Sequence, residues 1–368
     1  MQHLSDFSAG RANNFNLLRF IAASAVLVSH GYTCTTGDFM TEPLRRLLGM
    51  SLGTIAVSVF FVTSGFLVSG SLLSKRNATE FFLSRALRIY PGLWVAVLLS
   101  VTAIGLAYTD LSARSFFARP ETWRYVTTNM LMLGFETYRL PGAFTHLPYA
   151  DTVNGSLWSL PFEIRLYMLL GFSWIVLIGI TKTPVLWLKW FCIGIAVAAV
   201  TLDICFLWLQ VFHPDAYREP RMVGLAAAFF SGAALRVLQH RIPVSQAIFT
   251  TLVVALSLSA ATSGFLILYK LTFAYVVLYV ALVPRGRILH FNQLGDYSYG
   301  IYIYAFPVQQ AIVYSLPGIT PIQLIAMSFP LTLALAIASW HLIEKKALRF
   351  RPKARLAATV TPKTMSHK

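Results

Sequence analysis

Stretches of about twenty predominantly apolar residues follow one another along almost the whole of this 368-residue chain, near 14–33, 51–73, 89–108, 157–180, 186–211, 221–239, 243–262, 264–283, 297–316 and 320–343. A helix of that length rises about 30 Å, the thickness of a bilayer's hydrocarbon core. In hydrocarbon every backbone polar group needs an internal partner, and continuous apolar runs meet that need as helices. The pattern predicts an all-α membrane protein, a polytopic bundle of about ten transmembrane helices. Composition agrees, with 57% hydrophobic residues, 12% charged and a mean hydropathy of +0.64. The least distinct boundary is the seventh–eighth, where only Ser263 and Gly264 intervene. No internal repeat or appended soluble module is visible.

The net charge is +16. In a soluble chain this would suggest nucleic acid. Here the cations collect in short loops and in the tail, and no basic, aromatic-rich soluble module is present, so no nucleic-acid partner is expected. One set of alternate loops and ends carries Arg11, Lys75, Arg76, Arg85, Arg88, Lys182, Arg241, Arg285, Arg287 and the basic tail. The opposite short loops hold only Arg45 with Arg46, and Arg218 with Arg221. Cytoplasmic loops retain Lys and Arg, which predicts that both termini are cytoplasmic. The longest loop, 109–156, is then outside, and its Tyr125–Phe135 stretch suits a re-entrant or interfacial piece. Residues 12–345 form the transmembrane domain on this reading, and 346–368 a disordered strip against the anionic inner leaflet. No cleavable leader is evident, so the first helix is expected to stay as an anchor. Cys34, Cys192 and Cys205 are odd in number and match no metal or disulfide spacing, and no metal site is expected.

Polar groups within the apolar runs carry the chemistry. Arg19 and His30 lie eleven positions apart in the first run. At about 100° per residue they share a face, separated by roughly 16 Å of rise. Two readings stand for this pair: a functional one, because ionisable groups in a membrane usually mark function, and snorkelling to opposite interfaces. Arg85 and Arg88 lie just before Pro91, at the expected inner mouth of the third helix, where the positive-inside rule alone would also place them. Glu163 is expected roughly 10 Å below the outer surface, seven residues at about 1.5 Å each, within reach of His30. Ser64 and Gly65 fall in Phe60-Phe61-Val62-Thr63-Ser64-Gly65-Phe66, where Gly65 also suits a helix-packing contact. Asp203 and Lys270 lie inside apolar runs and are assigned no chemistry. An arginine cluster inside and an imidazole with a carboxylate outside suit a phosphate-bearing ligand from the cytoplasm, with acid–base chemistry toward the outside.

These residues match a known pattern. Arg19-x10-His30, the Phe-Phe-x-x-Ser-Gly-Phe of 60–66, Arg85-x-x-Arg88-x-x-Pro91, Ser156-Leu-Trp-Ser-Leu-x-x-Glu163 and Tyr297-Ser-Tyr-Gly-Ile-Tyr302 occur in one order over most of the chain. The sequence resembles the acyltransferase-3 family of integral membrane acyltransferases, which O-acylate sugars of bacterial surface polysaccharides, lipopolysaccharide O-antigen and signalling oligosaccharides. It departs from many members in lacking a His near Ala305 or Phe306, which leaves His30 as the better candidate base.

The resemblance implies transfer of an acyl group, most often acetyl, from acyl-CoA to a hydroxyl of a glycan or lipid-linked sugar in a bacterial inner membrane. No permanently bound cofactor is implied; acetyl-CoA is a donor substrate. Arg85 and Arg88, with Ser64 and Gly65 near, would hold the donor, since charge-assisted contacts to phosphate are strong. His30, Glu163 and Arg19 would be the catalytic set. His30 either takes the proton of the acceptor hydroxyl, oriented by Glu163, or carries the acyl group covalently. Intramembrane charges on about ten helices also suit a secondary transporter, but the paired repeats common in transporters are not visible. Acceptor identity, acyl length and oligomeric state are not readable.

Overall fold

A computed structural model describes residues 2–8, 10, 12–132, 134, 136–212 and 221–351. Arg11, Phe135, Arg218 and the tail beyond Arg351 lie outside the described residues.

Among the described residues, ten helices fall on the ten apolar stretches: α1 (Phe15–Thr36), α2 (Leu52–Lys75), α3 (Ala78–Leu99), α4 (Leu160–Ile180), α5 (Pro184–Phe212), α6 (Arg221–Val237), α7 (Gln246–Ser259), α8 (Phe265–Leu282), α9 (Ser298–Ser315) and α10 (Pro321–Ser339). Their starts follow local capping chemistry. Ser51, Asn77 and Ser245 each accept a hydrogen bond from a backbone N–H three residues on, at 3.0–3.1 Å, and Thr320 forms a reciprocal box with Gln323. Gly37 ends α1 with φ +71, the left-handed conformation glycine adopts without strain.

Among the described residues, seven helical stretches are long and apolar enough to cross a membrane, fewer than the ten expected. Helices α6 and α7 are short, at 17 and 14 residues. Helix α9 has 18 residues but carries Tyr, Ser and Gln along its length, and most of them are buried. It runs through the middle of the bundle, packed against α1 and α10, so protein rather than lipid surrounds its polar groups. Exposed apolar side chains concentrate on the outer helices, with Trp187, Trp190 and Val197 on α5, Phe172 and Ile180 on α4, and Ile322 and Leu331 on α10. Contiguous apolar surface of this kind suits contact with lipid, and the chain is an integral membrane protein.

Helix α3 begins eleven residues before its expected start. The Asn77 cap and Glu80 in the first turn open it at Ala78, and Pro91 sits inside the helix, as membrane helices tolerate. Arg85 and Arg88 are therefore two turns and more inside a helix that continues through a π-turn, Ser100–Gly105, to Tyr108.

Helices α2 and α6 cross at glycines. A Cβ on Gly65 would lie 1.8 Å from the Phe229 carbonyl oxygen, and one on Gly232 would lie 2.1 Å from that of Val62. Gly65 is thus a packing residue, as small residues at membrane crossings generally are. Gly65→Ala is expected to cost at least the ~1–3 kcal/mol typical of overpacking. Thermal unfolding of detergent-solubilised protein checks this, and an unchanged melting temperature would contradict it.

The long loop does not stay at the surface. Its helix Pro120–Leu131 runs along α3, where Trp94 Nε1 and Tyr90 Oη donate to the carbonyls of Met130 and Leu131 at 3.2 and 3.3 Å. Further on, Asn154 Nδ2 donates to the Ile303 carbonyl at 2.9 Å, and Ser159 Oγ lies 2.6 Å from Tyr302 Oη. Both partners are in the first two turns of α9. Helix α4 therefore hangs from the interior of the bundle rather than starting at its face.

Candidate active site

Polar groups gather at two levels. The first, at the N-terminal ends of α1 and α9 and about ten residues into α3, is an ion-pair cluster. Asp296, just before α9, accepts from Arg88 at 2.5 Å and lies 3.6 Å from Arg19; Arg88 is also 3.6 Å from Glu344. All four side chains are mostly buried, at 20% exposure or less. Burial alone would raise the Asp296 carboxyl, but the Arg88 and Arg19 guanidiniums and bonds from Ser298 outweigh it and hold it at about 2. Ser298 Oγ donates to Asp296 at 2.5 Å and Ser339 Oγ to Glu344 at 2.9 Å. Arg88 also stacks 5.7 Å over the Tyr299 ring, whose hydroxyl donates to the Ile89 carbonyl at 2.8 Å.

Beside this cluster stand cations without an acidic partner. Arg85 forms no ion pair among the described residues and packs 5.9 Å over the Tyr167 ring. Arg351 has a buried Nε with no hydrogen-bond partner among the described residues; burial, then the adjacent charges of Arg85 and Arg88, push its guanidinium down to about 10. Glu163 joins this level and not that of His30. It accepts from Ser64 Oγ at 3.1 Å and from Tyr167 Oη. The expected His30–Glu163 pair is not formed, because α4 begins inside the bundle and carries Glu163 deeper than a count from the outer surface implies.

The second level surrounds His30, near the other end of α1. It is a chamber of about 660 Å³. His30 contributes to its wall with Trp158, Tyr138, Glu42, Asp203 and Lys270. The Nδ1 of His30 is buried and has no hydrogen-bond partner among the described residues. The Phe306 ring meets the imidazole edge-on at 5.1 Å and forms an aromatic wall beside it. Gln310 Nε2 donates to the carbonyls of Tyr149 and Thr152 at 2.8 Å, and this fixes the long loop across the chamber.

The two levels share α1, which carries Arg19 at one and His30 at the other. Phe60 bridges part of the gap, with Arg19 5.7 Å over its ring and Tyr302 5.7 Å beyond. Of the residues singled out in the sequence, the structure joins Arg19 to Arg88 through Asp296, and Ser64 to Glu163. It leaves His30 apart from both and gives Gly65 to helix packing. Asp296, Glu344, Tyr167 and Arg351 escaped the sequence reading. Asp296 had a signal, since the chain has only 14 acidic residues and this one opens a helix opposite an excess of arginine. Among the described residues no group of His, Cys, Asp and Glu is arranged to hold a metal ion.

Comparison with known proteins gives the family. The family model described as an acyltransferase domain (acyltransferase-3) matches residues 13–341. The chain is 32% identical over 363 residues to an O-acetyl transferase of Shigella phage Sf6, covering 94% of this chain and 99% of the relative. It is 26% identical over 373 residues to nodulation protein 10 of Rhizobium leguminosarum bv. viciae, covering 94% and 96%. A 190-residue stretch is 31% identical to the acyltransferase MdmB of Streptomyces mycarofaciens, covering 50% and 43%. No solved structure matches the chain. A match that covers all ten helices, His30 and the Arg19, Arg88 and Asp296 cluster makes this protein an acyltransferase of the acyltransferase-3 family.

Proposed function

We propose that the chain transfers an acyl group, acetyl in the simplest case, from acyl-CoA to a hydroxyl of a surface glycan or lipid-linked sugar. The observation that carries the reading is the placing of His30. An imidazole whose buried Nδ1 has no hydrogen-bond partner among the described residues lines a chamber large enough for a sugar, about half the length of α1 from the arginine level. The name of the phage relative, an O-acetyl transferase, supports the choice of group and of oxygen as acceptor.

Acyl-CoA enters on this reading from the arginine level, which is cytoplasmic if the basic loops are. Arg88 is neutralised by Asp296 and Glu344, so the phosphates fall to Arg85 and Arg351, two cations beside it with no acidic partner among the described residues. The pantetheine arm extends along α1, and the thioester reaches His30, roughly 16 Å from Arg19 by helix rise. His30 takes the proton of the acceptor hydroxyl as its oxygen attacks the thioester carbonyl. The C–S bond breaks, the CoA thiolate leaves, and the imidazolium returns the proton to it. Glu163 acts apart from His30, with Ser64 and Tyr167, along the donor's path. An acyl-histidine route uses the same residue and gives the same products.

Arg85→Ala is expected to raise the KM for acetyl-CoA roughly tenfold to a hundredfold, the worth of one charged hydrogen bond, with kcat little changed. Steady-state kinetics on purified protein test it, and an unchanged donor KM would remove Arg85 from the donor site.

A further inference from the structure

The chamber holds a charged pair that the mechanism does not use. Asp203 of α5 and Lys270 of α8 meet at 2.7 Å, with side chains 3% and 12% exposed. Both face the chamber that contains His30. Charges at such depth are expensive and persist where they are paired or functional. A clamp between two helices would account for the pair itself. It does not account for the second carboxylate oxygen. Lys270 engages Oδ2, whereas Oδ1 is buried and has no hydrogen-bond partner among the described residues. A buried acceptor atom left without a donor is strongly unfavourable, and few are found in folded proteins.

We infer that Asp203 is an acceptor-binding residue, whose Oδ1 takes a hydrogen bond from a hydroxyl of the sugar while Lys270 holds the carboxylate in place. This rests on the acyltransferase reading and adds a residue that selects the sugar acceptor. His30 and Asp203 both line the chamber, and each carries a buried polar atom, Nδ1 and Oδ1, with no hydrogen-bond partner among the described residues. One serves the hydroxyl that is acylated and the other a second hydroxyl of the same molecule. A ligand with one hydroxyl satisfies only one of them, so the chamber favours a polyol ring over a simple alcohol. Trp158 in the same wall offers the flat apolar surface that a sugar ring covers.

The test uses full-length protein in detergent and saturation-transfer NMR with methyl glucoside, methyl galactoside and methyl rhamnoside, with cyclohexanol as the one-hydroxyl control. Wild-type protein is expected to bind at least one glycoside and to bind cyclohexanol at least tenfold more weakly. Asp203→Asn is expected to weaken glycoside binding at least tenfold. Because that change disturbs a buried pair, the double replacement Asp203→Leu with Lys270→Leu is run beside it; it removes both charges of the pair and is expected to lose the glycoside equally. Glycoside binding at wild-type strength in either folded variant overturns the inference, as does a wild-type protein that binds none of the glycosides. Loss of the acetyl-CoA thioester by wild-type protein, followed in parallel, reports on the acyltransferase reading separately.

Discussion

Replacement of His30 by alanine is expected to lower acyl transfer by about 10²–10⁴-fold, the usual contribution of a positioned general base. If the imidazole carries the acyl group, the loss is at least as large. The protein should still fold. The His30 ring contacts Phe306 edge-on, and its Nδ1 holds no hydrogen bond that the fold depends on among the described residues. Donor binding should also persist, because the arginine level lies on other turns and other helices. The expected signature is a fall in kcat with little change in the donor KM. Normal turnover in a folded His30→Ala protein would remove this residue from both versions of the chemistry.

Asp296→Asn is expected to be the most damaging substitution for stability. Asp296 is the shared partner of Arg88 and Arg19, and all three are mostly buried. Removing its charge leaves two guanidiniums with Glu344 alone, and Glu344 is 3.6 Å from Arg88. Breaking a buried pair from one side typically costs about 3–5 kcal/mol, since an uncompensated charge remains. The pH dependence has a definite sign. The carboxyl is held at about 2, below its ordinary 3.8, so its contribution is complete above 3.8 and fades as pH falls through about 2. Thermal unfolding in detergent at neutral pH checks the prediction. An Asp296→Asn protein that melts like wild type would mean the cluster contributes little to the fold.

The helices were legible because apolar length is a one-dimensional property, and each of the ten stretches holds a helix, although among the described residues only seven helical stretches are long and apolar enough to cross a membrane. What failed was depth. Counting residues from the outer surface put Glu163 beside His30, but Asn154 and Ser159 fasten the loop to α9 at Ile303 and Tyr302, so the count began from the wrong level. The same cause hid the start of α3. The apolar run was placed from 89, yet Asn77 caps the helix at Ala78 and the membrane interior tolerates Pro91 within it. Arg19 and Arg88 stood out because basic residues in apolar sequence are conspicuous. Their partner Asp296 did not, because it sits in a loop, and ion pairing between residues over 200 positions apart leaves no local pattern. Gly65 matched a motif, and only the crossing with α6 shows that space is what it supplies.

The central claim is that donor binding and acyl-transfer chemistry occupy opposite ends of α1. The most direct measurement follows acetyl-CoA binding and thioester loss in purified wild-type, Arg85→Ala and His30→Ala protein under one set of conditions. The account predicts that Arg85→Ala weakens binding while His30→Ala binds normally and fails to turn over. Folded wild-type protein that does not bind acetyl-CoA, or a His30→Ala protein that turns it over normally, would contradict it.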